Sequence, residues 1–373
     1  MTIAKRIIVT GDFLRPSPHK FRPTQNENIR WLAQLLNVPV TMATGLPVQE
    51  VIWDDNWLNQ ATFDQASVRA IYEAFWLKPN MHSWAQIYSA ETLPVSVESI
   101  FAHVFRDSFV IGFELPPVLV HFLRRNGIGF VDVILSPVRF MDDLTFSVNA
   151  SSPAALKAIR ALALPEAVQR LAAGVVSAHV AKHFPTPPRP DTLLVIMQTS
   201  FDRAVIEGKR FVTLIDYMNE LEEIAKDYSS VLVKQHPLEP QPEICDMLLR
   251  NMPDARLTEE NFYRLVSHRN LKGVAALSSS CVYEAGFFGK RQHALMPSVN
   301  FSKSPAGLDL CEVGDILLVP DFWRDALGAS GLAVSAKDGI TLPPKPNRFR
   351  LQHHTSWGYS EIDTDIAVAW AKD

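Results

Sequence analysis

The chain has 373 residues, 47% of them hydrophobic and 20% charged, which is enough apolar material for two cores and too much for one ordinary domain. A net charge of −4 argues against broad electrostatic binding to nucleic acid. Its three cysteines, Cys245, Cys281 and Cys311, form no CxxC pair; this argues against a disulfide framework or structural zinc and fits a reducing cytoplasm.

Met1 to Thr10 has too short an apolar run for a signal peptide, and no window approaches the roughly 20 apolar residues of a membrane span. Ile7 to Thr10 reads as a short strand ending at the turn signal Gly11-Asp12. Asn26 to Leu36 carries a helical stripe of Ile29, Leu32, Leu35 and Leu36, and Val38 to Met42 reads as a second strand. Helices are expected over Phe63 to Phe75 and Val95 to Val104, then a buried strand over Ser108 to Glu114. The helix after it spans Pro116 to Arg125 and the next strand Gly129 to Leu135. Such alternation with short connections implies parallel βαβ units.

A long helical region runs from Ser152 to Lys182 with a break near Pro165, followed by Phe184 to Pro190, where four prolines in seven residues make a stiff connector. The alternation then restarts. Thr192 to Met197, Ser230 to Val233, Gly273 to Leu277 and His293 to Met296 read as strands. Phe211 to Lys226, Pro242 to Asn251, Asn261 to Ser267 and Cys281 to Phe288 read as helices. The expected organisation is a first domain over 1–183, a linker over 184–190, a second domain over 191–347, and a tail over 348–373. With Trp357, Tyr359 and Trp370, that tail is expected to pack back on the first domain.

Functional side chains gather where strands end, the edge at which open α/β sheets bind ligands. Lys234 and His236 lie two apart before Pro237 and project the same way; a cation beside an imidazole suits a departing phosphate. A surface lysine and a capping histidine fit the same string. Ser278, Ser279 and Ser280 fall where a strand becomes a helix, a place for an anion or for simple capping. Glu284, one turn in, is either a ribose-binding carboxylate or an ordinary helical residue.

Asp202 follows a strand through Gln198-Thr-Ser-Phe, and Glu114 closes a strand of the first half. Carboxylates from two domains aimed at one cleft suit base or nucleophile roles in sugar chemistry, whereas capping and ion pairing are their structural alternatives. Arg139 is a candidate for holding an acceptor or a carboxylate. Asp142-Asp143 point apart in extended chain and make a poor metal site, and His353-His354 lack a partner at ligand spacing. Gly11-Asp12 has no GxGxxG spacing, a P-loop is absent, and Cys281 reads as a small buried residue.

Two α/β halves, a proline-rich hinge and donor-type motifs confined to the second half resemble a GT-B glycosyltransferase. The strings Val9-Thr-Gly-Asp12, Gln25 to Leu32, Ile111 to Pro116, Pro137 to Asp143, Lys234 to Pro237 and Ser278 to Glu284 resemble the retaining β-Kdo transferases of bacterial surface polysaccharides. That resemblance implies an α/β GT-B fold, with two Rossmann-like domains facing a central cleft. It implies CMP-β-Kdo as donor, a glycan acceptor of lipopolysaccharide O-antigen or capsule type, and no metal or other cofactor. By it Asp202 is the nucleophile, Glu114 the acid/base, and His236 the group addressing the CMP phosphate. Gln198, Lys234, Pro237, Ser278, Ser279, Ser280 and Glu284 would surround the donor, and Gly11, Asp12 and Arg139 the acceptor side. The implied location is cytoplasmic or peripheral at the inner membrane, within a multidomain transferase or a polysaccharide assembly complex. The competing readings are a transferase or epimerase using CMP-sialic acid or a UDP- or GDP-sugar, and a non-catalytic assembly scaffold.

Overall fold

The computed structural model describes residues 4–16, 25–53, 62–181, 187–237, 239–252, 254–297, 310–344 and 348–349. The chain begins with β1 (Arg6–Gly11), α1 (Gln25–Thr44), β2 (Val48–Glu50), α2 (Gln65–Ala74), α3 (Met81–Tyr88) and α4 (Val95–Val104). It continues through β3 (Ser108–Phe113), α5 (Pro117–Arg125), β4 (Phe130–Leu135), β5 (Phe146–Ala150), α6 (Pro153–Arg160) and α7 (Glu166–Val180). β3 and β4 are buried along their whole length, as parallel strands covered by helices on both faces must be.

α1 corrects one expectation, because Val38 to Met42 is not a strand but the last turns of this helix. Ile29, Leu32, Leu36, Val40 and Ala43 are buried along one face, so the 3.6-residue period carries the helix through Pro39. A short apolar run does not by itself tell helix from strand, and here the packing face outweighs the hydrogen bond lost at proline.

The second half contains β6 (Thr192–Ile196), the small antiparallel pair β7 (Ile206–Glu207) and β8 (Arg210–Phe211), α8 (Met218–Ala225), β9 (Ser230–Lys234) and α9 (Pro242–Asn251). After these come β10 (Ala255–Leu257), α10 (Phe262–Ser267), β11 (Leu271–Ala276), α11 (Ser280–Phe287), β12 (Arg291–Ala294), β13 (Cys311–Val313) and α12 (Pro320–Ala329). The helix expected from Phe211 to Lys226 is shorter. Thr213 caps a 3-10 turn at Leu214–Tyr217, with Asp216 completing the capping box, and α8 starts only after it.

Two sheets result, ordered β13-β5-β4-β3-β1-β2 and β10-β9-β6-β11-β12. The second is parallel throughout, and in chain order its strands run 3-2-1-4-5, the Rossmann arrangement. The first has a parallel core of β2, β1, β3 and β4, in line with the βαβ units expected there, while β5 and β13, which the sequence reading did not mark as strands, add an antiparallel edge. The molecule is thus an α/β protein of two Rossmann-like lobes, as the sequence led us to expect.

The lobes do not follow a second domain running to 347. β13 pairs with β5, α12 packs on α1 and α6, and Phe349 joins the first core beside Trp31 and Phe146, so the chain returns to the first lobe from about 311 onward. The reason is apolar: Phe322, Trp323, Ala326 and Leu327 form one buried face of α12. The first three residues of the proline-rich connector and all of the tail beyond Phe349, with His353, His354, Trp357, Tyr359 and Trp370, lie outside the described residues. Among the described residues no helix is long and apolar enough to cross a membrane.

Candidate functional site

In each sheet, connections leave in opposite directions from one pair of neighbouring strands, and the crevice outside their carboxyl ends is where such folds bind ligands. In the first lobe that pair is β1 and β3, whose carboxyl ends lead into Asp12 and Glu114. In the second it is β6 and β11, leading into Gln198 and Ser278. The two crevices face each other, and side chains reach across.

On the first-lobe side three carboxylates are buried together. Asp12 accepts a 2.8 Å hydrogen bond from the Trp84 indole N–H on α3. Burial pushes its pKa up to about 6, against the opposing pull of Arg15, Trp84 and Arg203. Asp132 on β4 accepts from the Leu115 N–H at 3.0 Å, and burial raises it to about 7, a rise that the Leu115 bond and Arg203 hold back. Glu114 adopts a φ of +55°, the left-handed region that non-glycine residues avoid. Its carboxylate meets Arg203 of the second lobe, with Nε 3.2 Å from Oε2 and side chains only 5% and 8% exposed, so water hardly screens the pair. Gly11 is equally buried: a Cβ there would lie 2.4 Å from the Phe113 carbonyl oxygen, so its missing side chain serves strand and helix packing.

On the second-lobe side, Gln198 Oε1 accepts from the Ser278 N–H at 2.8 Å, joining the two strands of the switch point. The Ser278 hydroxyl, fully buried, donates to the Ala204 carbonyl. Asp202 caps the 3-10 turn Arg203–Val205, its Oδ1 accepting from the Ala204 N–H at 2.9 Å. Ser279 caps α11 through the Cys281 N–H at 3.3 Å, and Ser280 follows it half-buried.

One strand further out, Lys234 donates to the Glu260 carbonyl at 2.9 Å. His236 is half-buried and Pro237 exposed at the turn after β9. Gln241 ties that turn to the switch-point loop, donating to the Gln198 carbonyl and the Ser200 hydroxyl at 2.9 Å each. Lys234, His236, Gln198 and the serines therefore share one edge.

Glu284 sits apart from this polar edge. Its side chain is fully buried, and Oε1 accepts from the Arg139 backbone N–H at 2.6 Å and the Tyr263 hydroxyl at 2.9 Å. Phe140, next to Arg139, fills an aromatic corner of Tyr263, Phe287 and Phe288 at ring distances of 5.4–6.3 Å. The first-lobe loop carrying Arg139 thus docks on α11, and in this conformation Glu284 serves that junction. A ribose would have to displace the loop to reach it.

Sequence reasoning missed Asp132, Arg203, Arg15, Trp84 and Tyr88. Asp132 had a signal: it is a lone carboxylate in the apolar run Phe-Val-Asp-Val-Ile-Leu. The others meet only through the packing of α3 and of the loop before β7, which no local pattern announces. A cavity of about 810 Å³ opens at the opposite, amino-terminal edge of the first sheet, lined in part by Arg106, Arg124 and Ser152, and takes no part in this cleft. Among the described residues no group of three or more His, Cys, Asp and Glu is placed to hold a metal ion.

No protein-family model matches the chain, and no curated protein does. Among solved structures it is similar to KpsC of Thermosulfurimonas dismutans, a β-Kdo 2,7 transferase, at 13% identity and a TM-score of 0.34, over 52% of this chain and 67% of that one. At that score the likeness carries no argument, and the architecture rests on the two sheets themselves.

Proposed function

We propose that the protein is a glycosyltransferase that takes a sugar from a nucleotide donor on the second lobe and passes it to a glycan acceptor at the first. The observation that supports this reading is the meeting of two switch points, which brings carboxylates of one lobe against the polar strand ends of the other. The preferred donor is CMP-β-Kdo, following the motif resemblance, with a bacterial surface glycan as acceptor. Glycan assembly of this kind takes place at the cytoplasmic face of the inner membrane.

In this reading Asp202 attacks the anomeric carbon while the bond to the CMP phosphate oxygen breaks. Lys234 and His236 receive the phosphate, with a charge-assisted hydrogen bond from each. Glu114 then takes the proton of the acceptor hydroxyl, whose oxygen displaces Asp202 from the same carbon. Two inversions give retention. The Ala204 N–H on Asp202 Oδ1 fixes the plane of the attacking carboxylate. The rival reading is a scaffold; it draws on Glu114 and Glu284 both being engaged in contacts between the lobes.

Asp202→Asn separates the two. The expected outcome is loss of transfer from CMP-β-Kdo with CMP affinity nearly unchanged. Full turnover in that variant removes Asp202 from the mechanism, and absence of turnover in the wild type favours the scaffold.

A further inference from the structure

The residues on either side of Asp202 are each fastened to the first lobe. On one side Arg15 Nη2 donates to the Phe201 carbonyl at 2.9 Å, while its guanidinium lies 4.7 Å from the centre of the Trp84 ring. The Phe201 ring meets His82 of α3 edge-on at 5.6 Å. On the other side Arg203 pairs with Glu114. The turn between is held from within the second lobe by the Ser278 hydroxyl on the Ala204 carbonyl. Residues 201–204 are therefore held to one lobe through the Phe201 carbonyl and the Arg203 side chain, and to the other through the Ala204 carbonyl.

We propose that Arg15 and Arg203 form a two-point clamp that positions Asp202 in the cleft, Arg203 acting through Glu114. This rests on the reading of Asp202 as the nucleophile. Arg15 touches neither reacting carboxylate and, of the two, Arg203 touches only Glu114, so both act on Asp202 as positioning residues. The side chain at 203 is surrounded by Glu114, Asp132, Tyr88 and Asp202, with Asp12 and Arg15 just beyond. Only a group that stays charged when buried can serve there. A guanidinium does so, and its planar fork fixes direction as well as charge. An ammonium keeps the charge but not the fork, which makes lysine the informative conservative variant.

The test uses Arg203→Met, Arg203→Lys and Arg15→Met in the full chain, with CMP as binding probe and CMP-β-Kdo as donor. CMP affinity is expected to stay within about threefold of wild type while turnover falls about a hundredfold in Arg203→Met, the signature of a misplaced reacting group. Arg203→Lys should recover about tenfold of that loss. Turnover in Arg203→Met within about threefold of wild type overturns the proposal, as does a loss confined to CMP affinity.

If Arg203→Met does not fold, Arg203→Met with Asp132→Asn removes one of the carboxylates left uncompensated and carries the same comparison. If the wild type transfers nothing, the glycosyltransferase reading fails and a second arm decides the clamp. Hydrogen exchange of the amides at 202–205 should quicken about tenfold in both Arg203→Met and Arg15→Met, and unchanged exchange overturns it.

Discussion

Asp132→Asn isolates the cost of crowding carboxylates against one arginine. Asparagine keeps the oxygen that accepts the 3.0 Å bond from the Leu115 N–H and removes only the charge. Burial raises the Asp132 pKa from 3.8 to about 7, and Glu114 adds to the rise. A carboxyl with its folded pKa raised contributes stability that is fully present below pH 3.8 and is lost as pH rises through 7. Three units at 1.36 kcal/mol each make that loss about 4 kcal/mol across the window. The Asn variant cannot ionise, so it should exceed wild type by about 1–2 kcal/mol at pH 5 and by about 3–4 kcal/mol at pH 8. Urea unfolding followed by tryptophan fluorescence at pH 5, 6.5 and 8 reads this directly. Identical pH slopes in the two proteins, or a variant weaker than wild type at pH 8, would refute the assignment of Asp132 as a destabilising buried acid.

Three further substitutions probe the frame around the cleft. Gly11→Ala places a methyl 2.4 Å from the Phe113 carbonyl oxygen, and thermal unfolding should show a loss of about 1–3 kcal/mol. Trp84→Phe removes the N–H that reaches Asp12, which costs about 1.5–3 kcal/mol at pH 8 and less at pH 5, where Asp12, raised to about 6, is already protonated. A loss equal at both pH values contradicts that account. Ser278→Ala frees the Ala204 carbonyl, so proteolysis within 198–205 should quicken while global stability falls by about 1 kcal/mol.

How much of this was legible in the sequence depended on whether a feature is local. Val95–Val104 and Pro242–Asn251 match the helices read from periodicity and proline placement, because proline at a helix start and amphipathic spacing act over a few residues. The strand ends carrying Glu114, Lys234 and Ser278 were legible for the same reason: an apolar run that stops at polar residues marks a sheet edge. α12 and the return of β13 to the first sheet were not, since nothing in Cys311–Val313 says which sheet it joins. Nor could the sequence show that Glu284 meets the Arg139 N–H, a contact 145 residues apart that exists only once the lobes are docked. The pairing of Glu114 with Arg203 is of the same kind, and it governs how the cleft is read.

The central claim is that this cleft receives a cytidine nucleotide, and the measurement that tests it most directly is a calorimetric titration of the full chain with CMP, beside UDP and GDP, repeated on His236→Ala. The account predicts selective CMP binding, weakened by about 1.5–3 kcal/mol in His236→Ala through loss of a charge-assisted hydrogen bond to phosphate. Preference for UDP or GDP, or no heat with any of the three, would contradict it.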